Sequence, residues 1–226
     1  MSRLHTVRSG TGDPIVFLHG MGTSAATWNA CMAMLDDRFT VVAVDLLGHG
    51  ASPVPDDPAE YTRDRTLTDI DDVLAELDAP AVLVGHSLGG YLALAHAATR
   101  PGVARGIVAI NTGPGYRDPA KREEWNERSR RNAHRFGVPE QVTTMNLQAD
   151  SVVMDRLGEI ATPTLILAGG EDRPEYTGAG QYLERKMPAA RLEVVDGGGH
   201  SMHEDTHADV VAAAIAAFVD GLPPSR

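Results

Sequence analysis

Short runs rich in β-branched residues, most of them nearly continuous in apolar side chains, recur along the chain at 15–18, 40–45, 81–84, 106–110, 164–168 and 191–196. A half-exposed strand would alternate apolar with polar residues, so most of these near-continuous runs read as strands buried on both faces. Between them, the stretches 25–35, 67–77, 88–99, 175–187 and 204–219 have the pattern of helices. That alternation predicts an α/β fold, a doubly wound and mostly parallel sheet with right-handed crossovers. Residues 4–8 are a candidate edge strand.

One segment breaks the rhythm. Residues 111–161 contain no convincing strand, and Pro114, Pro119 and Pro139 divide them into helical-looking pieces. An unstructured loop of that length is uncommon in a compact domain. A small helical cap inserted into the core is therefore expected, with 1–110 and 162–226 forming the core.

Ligands of open parallel sheets bind outside the carboxyl ends of the strands. The residues that follow each predicted strand are therefore informative. They are His19-Gly20-Met21-Gly22, Leu46-Leu47-Gly48-His49-Gly50, Gly85-His86-Ser87, Asn111, Gly169-Gly170-Glu171-Asp172 and Gly197-Gly198-Gly199-His200. Polar chemistry and glycine turns are concentrated at one edge, which packing alone does not explain.

Gly85-His86-Ser87-Leu88-Gly89 lies between a strand and a helix, and reads as a nucleophile elbow. Glycine two residues either side of the serine leaves room for a turn sharp enough to expose Oγ. A serine hydroxyl is a weak nucleophile near neutral pH and needs a base, and the base needs an orienting group. His200, on a glycine-rich turn after the last strand, is the candidate base. Asp172, after the preceding strand, is the candidate acid. The N–H groups of Met21 and Leu88 are the candidate oxyanion donors, each just past a strand end.

Charge and composition narrow the picture. The 226 residues suit one domain, and 42% hydrophobic with 23% charged residues is ordinary for a globular protein. A net charge of −11 argues against nucleic acid or an anionic membrane as the main partner. Cys31 is the only cysteine, so no intrachain disulfide forms and nothing requires an oxidising compartment. The first eight residues lack the apolar core of a secretory signal, and a cytoplasmic location is expected. No phosphate-binding loop, dinucleotide fingerprint or cysteine cluster calls for a cofactor.

Together these blocks resemble the α/β-hydrolase superfamily. The resemblance rests on His19-Gly20-Met21-Gly22, Asp45-Leu46-Leu47-Gly48-His49-Gly50-Ala51-Ser52, Gly85-His86-Ser87-Leu88-Gly89-Gly90, Asp172 and Gly199-His200, in the family's order. It spans the chain except 111–161, which matches the family's cap in place but carries no motif. The resemblance implies a Ser87–Asp172–His200 triad that cleaves a small carboxylic ester, thioester or lactone through an acyl-enzyme, with water and without cofactor or metal. Family register favours Asp172 over Glu171. Some relatives carry the acid after the strand before the insertion, where this chain has Asn111, which supplies no charge. Arg173-Pro174 after the acid and Asp205-Thr206-His207 after the histidine depart from the common pattern and blur the subfamily.

The same superfamily includes perhydrolases or haloperoxidases, lyases and carbon–carbon bond hydrolases, so these remain alternatives, and a non-enzymatic ligand receptor is a more distant one. His19, His49 and His86 read as turn residues held by hydrogen bonds, and His96 as structural. Lys121, Arg122, Arg128, Arg130, Arg131 and Arg135 form a basic cluster in an acidic chain. A solvated helix face paired with Glu123, Glu124 and Glu127 is the preferred account, and a cap attracting anionic substrates is the sharper one. Trp125, Phe136, Met145 and Met154 are candidate pocket residues, with core packing an equal alternative. His203-Glu204-Asp205-Thr206-His207 matches the zinc-protease pattern HExxH, but no further histidine or glutamate follows, and His200 is already assigned to the serine. It reads as coincidence. Oligomeric state is not legible.

Overall fold

The computed structural model describes residues 3–204 and 206–223. Met1, Ser2, Asp205 and residues 224–226, which the expected core range includes, lie outside the described residues. Among the described residues, strands form at Thr6–Ser9 (β1), Pro14–Leu18 (β2), Thr40–Val44 (β3), Val82–His86 (β4), Gly106–Ile110 (β5), Thr164–Gly169 (β6) and Ala190–Val195 (β7). Helices form at Asn29–Leu35 (α1), Arg63–Leu74 (α2), Leu88–Thr99 (α3), Pro119–Asn132 (α4), Val152–Arg156 (α5), Pro174–Lys186 (α6) and Ala208–Asp220 (α7).

The strands build one sheet in the order β1-β3-β2-β4-β5-β6-β7, parallel except for the antiparallel edge strand β1. β2 to β6 are buried along their whole length, in keeping with their mostly apolar sequences. Ile15, Phe17, Val41 and Val84 pack on one face with Met32 of α1 and Ile215 of α7. Val16, Leu18, Val42 and Leu83 pack on the other with Ile70 of α2 and Leu92 of α3. The chain leaves β2 for β3 on one side and β4 on the other, so strand order reverses at the β2–β4 pair. A crevice opens at such a switch point.

Element ends differ from expectation for local reasons. α2 begins at Arg63 rather than 67, because the Thr62 hydroxyl accepts the Arg65 N–H at 3.4 Å and caps a first turn made of charged residues. The predicted helix 25–35 opens as a 3₁₀ turn over Ala25–Trp28. α7 begins at Ala208 rather than 204, since turns between 200 and 207 bring His200 and His203 back toward the sheet.

Residues 111–161 hold α4, α5 and 3₁₀ turns and no strand. Val142, Met145, Val153 and Leu157 anchor this stretch in the same apolar cluster as Leu88 and Leu92. α4 buries polar groups instead: Trp125 Nε1 donates to the Asn146 carbonyl at 3.0 Å, and Asn126 and Gln148 exchange two hydrogen bonds of 3.1 and 2.8 Å. No helix among the described residues is long and apolar enough to cross a membrane.

Candidate active site

Ser87 sits between β4 and α3 with φ +50° and ψ −110°, a conformation few L-residues adopt. The flanking glycines allow it. A Cβ on Gly85 would overlap the Gly89 backbone, and one on Gly89 would overlap the Leu18 carbonyl. The Ser87 N–H donates to the Ile110 carbonyl at 2.9 Å, tying the elbow to β5.

His200 and Asp172 meet at the carboxyl ends of β7 and β6. The His200 Nδ1 to Asp172 Oδ2 distance is 2.7 Å. A carboxylate only accepts, so Nδ1 carries the proton and Nε2 keeps its lone pair. Asp172 Oδ1 accepts the Arg173 N–H at 2.7 Å. The Asp172 side chain is 3% exposed and the His200 side chain 33%, so the acid is shielded while the imidazole remains open to a ligand. Glu171 is exposed and does not reach His200 in this way; its N–H is spent on the Gly198 carbonyl. The His200 ring is sandwiched between His86 and Tyr176, with centroids at 4.8 and 4.7 Å. His86 Nε2 donates to the His200 carbonyl at 2.9 Å, and burial lowers the His86 pKa well below its ordinary value.

Asn111, which contributes no charge, joins three of the strand-end loops. It adopts φ +46°, donates from Nδ2 to the carbonyls of Gly199 (3.0 Å) and His200 (2.8 Å), and accepts the Gly169 N–H at 2.8 Å.

The turn after β2 runs beside the serine: a Cβ on Gly20 would lie 3.6 Å from Ser87 Cβ. The Gly20 carbonyl is held by His19 Nδ1 (2.7 Å) and the Thr23 hydroxyl (2.9 Å). In a trans peptide C=O and N–H point in opposite directions, so anchoring the Gly20 carbonyl turns the Met21 N–H the other way. The Ser87 carbonyl is likewise held by the Thr112 hydroxyl at 2.7 Å and the Tyr91 N–H at 3.0 Å, which orients the Leu88 N–H.

His19 accepts the Leu46 N–H at Nε2 (3.0 Å), and His49 accepts the Gly22 N–H at Nε2 (3.2 Å), so each ring is neutral and protonated at Nδ1. Burial, then the neighbouring His49, push the His19 pKa down to about 4. Burial also lowers His49 and His96. The unfolded chain protonates such imidazoles near pH 6.5, so between about pH 6.5 and 4 it binds more protons than the folded protein. Stability is therefore fully present above that window and falls as pH falls through it, by about 3 kcal/mol for His19 alone. Urea unfolding at pH 7.5 and 4.5 checks this; equal unfolding free energies would contradict it.

Asp45 anchors the loop after β3. Burial raises its pKa, but the N–H groups of Ala51 (2.9 Å) and Ala25 (2.7 Å) and the His5 ring outweigh that and leave it below the ordinary value. The HExxH match falls on turns before α7 rather than within a helix, and its Asp205 lies outside the described residues. His203 is fully buried, with its ring 4.3 Å from both Trp28 and His86.

Two cavities of about 430 and 370 Å³ share Ser87 in their walls. Leu88, Tyr91 and Met145 line the larger; Met21, Phe136 and His200 line the smaller; Trp125, Arg128 and Tyr176 line both. Met154 does not line either and packs against the core cluster instead. The basic cluster divides. Arg130 and Arg131 pair with Glu123 and Glu127, whereas Arg128 and Arg135 face the cavities. Tyr176 and Thr112 were not singled out from the sequence: Thr112 lies two residues past β5, but Tyr176 lies within the first turn of α6 and carries no local signal.

A mostly parallel sheet carrying a strained serine elbow beside an acid–histidine pair defines the α/β-hydrolase class. The chain belongs to the Alpha/beta hydrolase family, which residues 15–143 and 115–214 match. It is 28% identical to a pimeloyl-[acyl-carrier protein] methyl ester esterase of Stenotrophomonas maltophilia, over 98% of each chain. A crystal structure of E-2-(acetamidomethylene)succinate hydrolase is 25% identical with a TM-score of 0.74, covering 96% of this chain and 95% of that one. A thermophilic esterase from Thermogutta terrifontis (malate bound) shares the fold at TM-score 0.82 and 24% identity, over 96% and 93% of the two chains.

Proposed function

We propose that the chain is a cofactor-independent serine hydrolase that cleaves a small carboxylic ester, thioester or lactone through an acyl-enzyme. The observation that carries this reading is the 2.7 Å His200–Asp172 hydrogen bond, with His200 and the strained Ser87 lining one cavity. Ser87 Oγ attacks the acyl carbon while His200 Nε2 takes its proton, and Asp172 stabilises the imidazolium that results. The tetrahedral oxyanion accepts the N–H groups of Met21 and Leu88, whose peptides are already oriented by Gly20 and Ser87 carbonyl bonds. His200 then returns the proton to the leaving oxygen or sulfur as the acyl bond breaks. Water, deprotonated by His200, attacks the acyl-Ser87 carbonyl and releases the acid and free Ser87.

A chromogenic aryl ester mixed with the enzyme in excess of active sites is expected to give a burst of about one phenolate per Ser87, with the acyl group's mass added to the Ser87 peptide after acid quench. Multiple turnovers with the acyl mass on another residue would contradict the assignment.

A further inference from the structure

We propose that Arg128 and Arg173 select an ester carrying a free carboxylate close to its reacting carbonyl. This rests on the esterase reading of Ser87 and narrows its substrate class. Both arginines line both cavities that share Ser87. A carboxylate a few bonds from the attacked carbon therefore reaches them whichever cavity it enters.

Most arginines elsewhere among the described residues are ion-paired. In this chain of net charge −11, Arg3, Arg63, Arg100 and Arg105 are each held by an aspartate. Among the described residues, Arg128 and Arg173 make no ion pair; each lies over an aromatic ring instead. The Arg128 guanidinium is 4.9 Å from the Trp125 ring centre. The Arg173 guanidinium is 5.0 Å from that of Tyr176 and donates to the Tyr176 hydroxyl at 3.0 Å. Stacking occupies a guanidinium face and leaves in-plane N–H groups for a ligand, in the fork geometry that matches a planar carboxylate. Arg135 adds a third positive charge to the smaller cavity, and Glu175 is the one carboxylate lining the larger. The cavity is thus locally positive within an acidic protein, which a merely solvated helix face does not require.

Monoethyl glutarate and ethyl pentanoate provide the test, because they differ only in a terminal carboxylate against a methyl group. Ethanol release is expected to give a kcat/KM at least about tenfold higher for monoethyl glutarate. That ratio should collapse toward one in Arg128→Gln/Arg173→Gln and shrink in 0.5 M salt, since exposed charges are screened. Lysine at both positions should restore part of it. Calorimetry with glutarate on Ser87→Ala gives a readout independent of turnover: binding is expected, and its loss when both arginines are also replaced. A wild-type ratio near one, or a ratio unmoved by the double substitution, while Ser87 still hydrolyses ethyl pentanoate, would overturn this inference and leave the esterase reading intact. If neither ester is hydrolysed, the esterase reading fails, and the calorimetry decides the anion site alone. Absence of glutarate binding overturns it.

Discussion

Replacing Ser87 with alanine is expected to lower kcat/KM for a simple aryl ester by about 10⁴- to 10⁶-fold, with the fold retained. On the proposed mechanism the loss comes from removing the one atom that forms the covalent bond. The residual rate expected is that of the proposed oxyanion donors and the cavity, which the substitution leaves in place. Alanine keeps a Cβ at the strained φ of +50°, so the melting temperature should stay within about 2 °C of wild type. Glycine at the same position would relax the elbow and raise stability by about 1 kcal/mol, since the left-handed backbone region carries no Cβ penalty there. Activity lost together with the fold in Ser87→Ala would contradict the first expectation; activity retained would contradict the mechanism.

Asp172→Asn is expected to lower kcat by about 10⁴-fold, about 5.5 kcal/mol of transition-state stabilisation. The loss follows from the tautomer of His200. The Asp172 carboxylate accepts two N–H groups, from His200 Nδ1 and from Arg173, both at 2.7 Å. An asparagine whose oxygen keeps the Arg173 N–H presents its NH₂ to the imidazole. His200 Nδ1 must then accept, its proton moves to Nε2, and the lone pair that deprotonates Ser87 is gone. Glu171→Gln, one residue away but exposed, should change kcat by less than about threefold. Steady-state rates for the two variants separate the carboxylates, and equal losses would show that the acid has been misassigned.

The sheet was legible because its central strands are buried on both faces, an environment that mostly apolar side chains satisfy, with polar ones such as Thr40, His86 and Thr164 confined to strand ends. Helix ends were less legible. α2 begins in charged residues behind a Thr62 cap, and the expected start of α7 is taken up by turns that return His200 to the sheet. The buried face of α4 resisted reading for a more basic reason: its buried residues are Asn126 and Ser129, held by hydrogen bonds to Gln148 and Asn146, so no apolar period marks that face. Ser87, Asp172 and His200 stand out because each needs a particular chemical group at a strand end. Asn111, Thr112 and Tyr176 do not, since their work is to hold a carbonyl, orient a peptide or stack on a ring. Those roles exist only once distant strand ends are brought together. Lys121 through Arg135 show the same limit. Their composition marks a basic helix, while only the fold separates the arginines that pair with glutamates from those that face the cavity.

The central claim is that Ser87 is a nucleophile activated by His200. Fluorophosphonate labelling followed by peptide mass spectrometry tests it most directly. One adduct per chain is expected, on the peptide containing Ser87, absent in Ser87→Ala and slowed by orders of magnitude in His200→Ala. Stoichiometric labelling at another residue, or labelling of Ser87 at an unchanged rate in His200→Ala, would contradict it.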